Sequence, residues 1–395
     1  MKICQIVVNW DPTAGGGGIE TLLKTVSPIL SERNHEVVVI TSGKSDKKKL
    51  VNGLKMYQIN PKNIYLAREF YRKPDFIKPI WHCIDLINLI SYFKIKRILK
   101  NENPDVVHIH SFKGFSPLVF KAVKKLGIPL VFTAHDFSAM CVRSNLLKKG
   151  KIMCETPRIV CNLYRQTNKF LIDNKPDVLI APSKFMVDKL HANGFFNDIP
   201  TKVVHNGALI LNGKKTKKDY ELIDILYAGA LSGHKGTNIL IKAFQGLNVD
   251  NIRLHIAGKG LDEDKLKGVS REDGRIIFHG FLTSDELQSL YRMANVCVVP
   301  SVCYDNSPMV IYESFANSTP VIASRIGGIP ELVNDGYNGF LFESGNIDEL
   351  RSIIKEILDD PSILWKLEGN AFKTAKKYSV KEHVDKLEDI YKGLV

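Results

Sequence analysis

Residues 295–333, NVCVVPSVCYDNSPMVIYESFANSTPVIASRIGGIPELV, constrain the fold of this chain most tightly. Residues 296–300 are a short Val-rich run, too brief for a helix, and read as a buried strand. A polar loop with Asp305, Asn306 and Ser307 follows. Pro308 suits the first position of a helix capped by Asn306 or Ser307. That helix carries Glu313 and stops at Asn317-Ser318-Thr319-Pro320. Residues 321–323 form the next strand, Gly327-Gly328 turns the chain, and Pro330 opens another helix. In a parallel sheet with right-handed crossovers, both loops emerge at one carboxyl edge, where open α/β sheets hold ligands. Two helix N-termini there favour a phosphate. The carboxylates of Asp305 and Glu313 accept hydrogen bonds from vicinal hydroxyls. Phosphate and sugar hydroxyls on one ligand describe a nucleotide sugar. Taken alone, the two acids also fit a helix cap and a solvated helix residue.

Asp305 and Glu313, with seven residues between them, resemble the acid-x7-acid signature of the retaining GT-B glycosyltransferases of family 4. The resemblance implies that Asp305 contacts the donor sugar and Glu313 the nucleotide ribose. Asn306, Ser307, Pro308 and Met309 then belong to the donor site. Asp305 departs from the family's usual Glu by one methylene.

Other stretches carry the same likeness in the same order. Residues 229–236, GALSGHKG, resemble the family's Gly-Arg-x4-Lys-Gly loop, in which Arg and Lys clamp the donor pyrophosphate. Lys235 matches, but Ala230 stands where the Arg is expected, so a fork of donors on the departing diphosphate is missing there. Gly15 to Gly18 lie at a strand-to-helix turn, where glycine lets backbone N–H groups approach a phosphate. Read by itself this is as well a flexible turn, but with Glu20 it resembles the family's Gly-Gly-x-Glu loop and nominates Gly17 and Gly18. Pro104-Asp105-Val106-Val107-His108-Ile109-His110 and Thr133-Ala134-His135-Asp136 are strands ending in polar residues and resemble the family's N-domain motifs. By that resemblance His135 lies at the donor sugar's reactive face. His108 and His110 are candidates on the acceptor side.

The formal net charge of +13 is unevenly placed. Residues 1–200 hold 31 Lys and Arg against 16 Asp and Glu, whereas residues 201–395 hold 24 against 26. The basic half points to an anionic partner such as a membrane surface, a phosphorylated lipid or a nucleic acid, or to a solvated lysine-rich surface. No nucleic-acid recognition motif is present, so no nucleic-acid partner is expected. Residues 80–93 are densely apolar but too short to span a bilayer, which leaves a core helix or an interfacial one. Seven scattered cysteines make no disulfide framework. Cys141, Cys154 and Cys161 lack the pairing of ordinary zinc sites, so no metal is expected. The opening Met1-Lys2-Ile3-Cys4 reads as a first strand rather than a leader. The expected location is cytoplasmic, peripheral at the inner face of the plasma membrane.

The expected fold class is α/β, a GT-B arrangement of two Rossmann-like doubly wound domains facing across a cleft. The expected divisions are an acceptor-side domain over 1–206, a linker over 207–220, a nucleotide-sugar domain over 221–375, and a final helix over 376–395 crossing back to the first domain. The expected activity is retaining transfer of a sugar from a nucleoside-diphosphate sugar to a glycan or lipid-linked acceptor in bacterial surface-polysaccharide assembly. His135, Lys235 and Asp305 would be catalytic, with no cofactor and no obligatory metal. A nucleotide-sugar epimerase of the same fold, or a catalytically impaired sugar-nucleotide or glycan-binding partner, are the competing expectations.

Overall fold

A computed structural model describes residues 1–10, 17–148, 153–210 and 220–395. The chain divides into two compact units. One comprises Met1–Leu146, Cys154–His205 and His383–Val395, and the other Leu147–Met153 and Asn206–Glu382. Most of the sequence-predicted linker, residues 211–219, lies outside the described residues, as do Gly15 and Gly16.

The first unit is built on β1 (Lys2–Ile6), β2 (Glu36–Ser42), β3 (Lys47–Val51), β4 (Leu54–Ile59), β5 (Val106–Ile109), β6 (Leu130–Thr133), β7 (Val178–Ala181) and β8 (Thr201–Val203), ordered β3-β4-β2-β1-β5-β6-β7-β8. Only the β3–β4 pair is antiparallel. β5 and β6 are buried throughout, as strands covered by helices on both faces must be. The chain returns to β1 from β2 to β5, in parallel on each side. This reversal of strand order opens a crevice at the carboxyl ends.

The second unit holds β9 (Ile223–Ala228), β10 (Ile252–Ala257), β11 (Ile276–Gly280), β12 (Val296–Val299), β13 (Val321–Ser324) and β14 (Gly339–Phe342), all parallel in the order β11-β10-β9-β12-β13-β14. Its two faces bury separate clusters. Ile225, Leu254 and Val296 point to one, Leu226, Cys297 and Val321 to the other, the alternation expected of a strand. Each unit is therefore a doubly wound, Rossmann-like sheet.

The lysine run Lys47–Lys49 is exposed and lies on β3, closed onto β4 by Asn52-Gly53, both at positive φ. That is the dipeptide a tight hairpin turn demands. The apolar segment 80–93 is two helices, Lys78–Leu86 and Leu89–Glu102. Asn88 breaks it by capping the second, accepting from Ser91 N at 2.9 Å. Pro308 is the N-cap of helix Met309–Ala316 rather than its first residue, and neither Asn306 nor Ser307 caps it. The helix expected at Pro330 is a single turn, Ile329–Glu331.

Candidate functional site

The loops after β9 and β12 meet backbone to backbone. Gly236 has φ +74°, and a Cβ there would lie 1.7 Å from the carbonyl oxygen of Pro300, so only glycine permits the approach. Val302 N donates to His234 O at 3.0 Å. This contact delivers Lys235 to Asp305, with Nζ 2.6 Å from Oδ2. Ser301 Oγ donates to the same oxygen at 3.0 Å. The turn after β13 completes the seat. Gly328 N donates to Asp305 O at 2.9 Å, and a Cβ on Gly327 would come within 2.5 Å of that oxygen. Burial opposes charge on Lys235, but the Asp305 carboxylate outweighs it and holds the ammonium well above its usual range. A fixed cation and a fixed carboxylate thus stand together at the carboxyl edge of the second sheet. A phosphate could take the cation and a hydroxyl could donate to the acid.

Glu313 lies on the helix Met309–Ala316, whose outward turn leaves it half-buried. Tyr291 OH donates to Glu313 Oε2 at 3.0 Å. Desolvation pushes the carboxyl up to about 7, against the pull of that hydrogen bond. Nearby, Ser307 Oγ and Tyr312 OH share a hydrogen bond of 2.6 Å, and Asn206 Nδ2 donates to Ser307 O at 3.0 Å. Asn306, Ser307 and Pro308 are buried, and Met309 is half-buried at the helix start. Sequence reasoning missed Tyr291 and Ser301. Tyr291 sits on a helix with no motif to mark it, whereas Ser301 directly follows β12 in the polar loop and was readable as a second acceptor-donor there.

In the first unit, the carboxyl ends of β5 and β6 bring three histidines together. His108 is fully buried, with Nδ1 2.6 Å from Tyr391 OH and Nε2 2.6 Å from Thr133 Oγ1. One nitrogen is spent on holding Tyr391 of the C-terminal helix Val380–Lys392 to the sheet and the other on Thr133 of β6. His108 therefore offers nothing to an acceptor, contrary to the expectation for it. His110 Nδ1 lies 3.2 Å from His135 Nε2, and its own Nε2 is buried with no hydrogen bond among the described residues. His135 is the half-buried member of the three. Burial, and then the neighbouring His383, pushes it down to about 3, so it is a neutral imidazole at pH 7.

Gly17 caps and Gly18 begins the helix Gly18–Glu32. A Cβ on Gly17 would lie 2.9 Å from Glu20 Oε2. Burial raises Glu20, while the N–H groups of Glu20 and Gly17 pull it down, so the carboxylate already occupies the helix N-terminus. Cys141, Cys154 and Cys161 are free and half-buried, and among the described residues no group of three or more His, Cys, Asp or Glu side chains is placed to hold a metal ion. None of the described helices is long and apolar enough to cross a membrane.

Residues 16–208 match the family model described as Glycosyltransferase Family 4, and residues 212–378 the one described as Glycosyl transferases group 1. An uncharacterized glycosyltransferase of Methanocaldococcus jannaschii is 30% identical over 312 residues, covering 78% of this chain and 80% of that protein. An uncharacterized 42.6 kDa protein in the cps region of Klebsiella pneumoniae is 25% identical over 325 residues, covering 80% and 83%. Among solved structures, Anabaena HepE in complex with UDP and glucose superposes with a TM-score of 0.74 over all of both chains at 19% identity.

Proposed function

This chain belongs to the group 1 glycosyl transferases of glycosyltransferase family 4, and from that membership we propose that it transfers a sugar from a nucleoside-diphosphate donor with retention of configuration. The second unit binds the donor. Glu313 accepts from the ribose hydroxyls, Asp305 from the sugar, and Lys235 neutralises the departing diphosphate. Asn306, Ser307, Pro308 and Met309 frame the donor between them. In the first unit, we assign to the reaction the neutral imidazole of His135, which His110 steadies, and the Gly17-Gly18 turn. His135 is uncharged and so leaves undisturbed the positive charge that develops on the sugar.

The observation that carries this reading is the Lys235–Asp305 pair at 2.6 Å. In the free protein each satisfies the other. A donor would exchange that contact for phosphate on lysine and hydroxyl on aspartate, two charge-assisted bonds for one. Charge stabilisation on the leaving group then supplies most of the rate. Lys235 provides it without an obligatory metal or cofactor, and departure and attack occur on the same sugar face. The acceptor is a glycan or a lipid-linked sugar in bacterial surface-polysaccharide assembly at the inner face of the plasma membrane. The basic first half and the relative in a cps region support that assignment.

Ala230 favours a second reading, a protein that binds the donor but transfers poorly, because the usual guanidinium is absent. Thermal shift with UDP, GDP, ADP and their sugars separates the possibilities. A ligand at a hundred times its Kd raises stability by about 2.7 kcal/mol. The donor reading expects one nucleotide family to shift the wild type and not Glu313→Ala; no shift with any nucleotide refutes it. Turnover of the shifting donor without an acceptor would instead identify an epimerase.

A further inference from the structure

The helices Lys78–Leu86 and Leu89–Glu102 bury Trp81, Ile95 and Leu99 beneath them and still leave apolar side chains uncovered on their outer side. Their inward side holds Trp81, whose Nε1 donates to Tyr65 O at 2.8 Å, and Asp85, which accepts from Gly114 N at 2.8 Å. Their outward side is apolar. Phe76, Ile80, Ile84 and Ile87 follow one another at helical spacing, and Phe76, Ile80 and Ile87 are 78%, 56% and 63% exposed. Ile90 and Phe93 continue the stripe on the second helix, and Arg97 stands next along it. The scaffold beneath is pinned. At the break, Asn88 Nδ2 donates to Pro61 O at 2.8 Å while its Oδ1 caps the second helix.

A neighbouring helix, Ile159–Ile172, also leaves apolar side chains outside. Tyr164 and Asn168 turn inward to donate to Ser138 O, and Tyr164 lies 6.1 Å from the His82 ring. Ile159, Leu163 and Phe170 face out. Contiguous apolar surface of this kind marks an interaction site on a soluble protein.

Charge identifies the occupant. Between Phe76 and Lys100 there are five basic residues and a single acid, Asp85, which is buried. The exposed face of this stretch is therefore apolar and cationic with no carboxylate. Where the stripe ends, Arg97, Lys94, Lys47 and Lys48 line an open cavity of about 320 Å³ together with Tyr57 and Asp46. Lys94 is tied to Asp46 at 2.7 Å, whereas Lys47 and Arg97 have no ion-pair partner among the described residues. A second protein surface would need apolar and acidic groups in register with both features. A bilayer of anionic phospholipid presents acyl chains and phosphates side by side with no register to satisfy.

We propose that this face docks the protein onto an anionic bilayer, the apolar stripe entering the headgroup layer and the cavity beside Arg97 receiving a lipid phosphate. The surface stands on its own side chains; only its purpose, presenting a lipid-linked acceptor, rests on the function proposed above.

The test is co-sedimentation of the full chain, at about 50 mM salt, with vesicles of phosphatidylcholine and phosphatidylglycerol in equal parts, and with phosphatidylcholine alone. The expected result is binding to the mixed vesicles only. Ile80→Ser/Ile87→Ser/Phe93→Ser should weaken it about tenfold or more, and Lys47→Gln/Arg97→Gln should weaken it and flatten its salt dependence. All of these positions are exposed, so both variants should keep the wild-type Tm. The proposal is overturned if wild type stays in the supernatant, binds both vesicles alike, or is matched by the variants. It is overturned also by a dimer that the triple variant dissociates with no vesicle binding, which would make the stripe a contact between copies. Inorganic phosphate raising Tm through Arg97 without vesicle binding would make the cavity a free-anion site and overturn it too. The nucleotide-induced thermal shift, read on the same samples, reports the donor site separately, so failure of one leaves the other standing.

Discussion

Glu313 titrates where a binding experiment can see it. Desolvation raises its carboxyl from 4.5 to about 7 in the free protein. Moving a titration midpoint by one pH unit takes about 1.36 kcal/mol, which makes the cost here about 3 kcal/mol. The folded-state value lies above the unfolded one, so its stabilising contribution is complete below about pH 4.5. It is lost as pH rises through 7, and the ionised carboxylate then strains the fold. Ribose hydroxyls donate to the carboxylate and remove that strain, so a nucleotide sugar should bind the ionised form. About a tenth of Glu313 is ionised at pH 6 and about nine tenths at pH 8, which makes the Kd about tenfold weaker at pH 6. A nucleotide sugar suits the assay because its diphosphate diester does not titrate in this window. Calorimetry at pH 7 in two buffers of different ionisation enthalpy should register about half a proton released. Glu313→Gln should bind more weakly, with a flat profile. A flat wild-type profile between pH 6 and 8, or an equal slope in the Gln variant, would refute the ribose role.

Lys235→Ala should lower the transfer rate by about 10²–10³, the cost of removing one preorganised group from a developing charge, with thermal stability changed by only about 1–2 kcal/mol because the pair is partly exposed. Leu231 N donates to Lys259 O at 3.1 Å, which brings an exposed lysine of the adjoining loop beside Ala230. If Lys259 substitutes for the missing guanidinium, Lys259→Ala should slow transfer at saturating donor and Ala230→Arg should restore it; an unchanged kcat in Lys259→Ala would dismiss that role. Gly236→Ala should cost about 2 kcal/mol or more, read as a lowered Tm, and should abolish the nucleotide shift, because its Cβ would force Pro300 and with it Asp305 to move. His108→Phe should lower Tm by leaving two buried hydroxyls unpaired, at about 1–3 kcal/mol each, while the nucleotide-induced shift stays intact.

The parallel sheets were legible because their strands are short Val- and Ile-rich runs, buried on both faces and separated by helical spacing. The donor loops were legible because backbone approach leaves a mark in composition: Gly236 and Gly327 are glycine for want of room. The Lys47–Val51 strand carries no signal of its own beyond the Asn52-Gly53 turn, because exposed lysines have little strand propensity. The partners of the site were not legible at all. Tyr291 reaches Glu313 across twenty-two positions and Tyr391 reaches His108 across 283, and no local pattern encodes a hydroxyl aimed at a buried acid or imidazole. Residues 80–93 show the deeper limit. Apolar density alone fits a core helix, and what excludes that reading is direction, with Trp81 and Asp85 inward and Ile80, Ile87 and Phe93 outward. Periodicity assigns side chains to one face or the other, but it cannot say which face meets the protein when a buried carboxyl occupies the less apolar one. Burying Asp85 costs free energy, and its carboxyl is pushed up to about 7 by that burial. The fold bears that cost while leaving isoleucines in water, an arrangement that makes physical sense if those isoleucines have another apolar phase to enter.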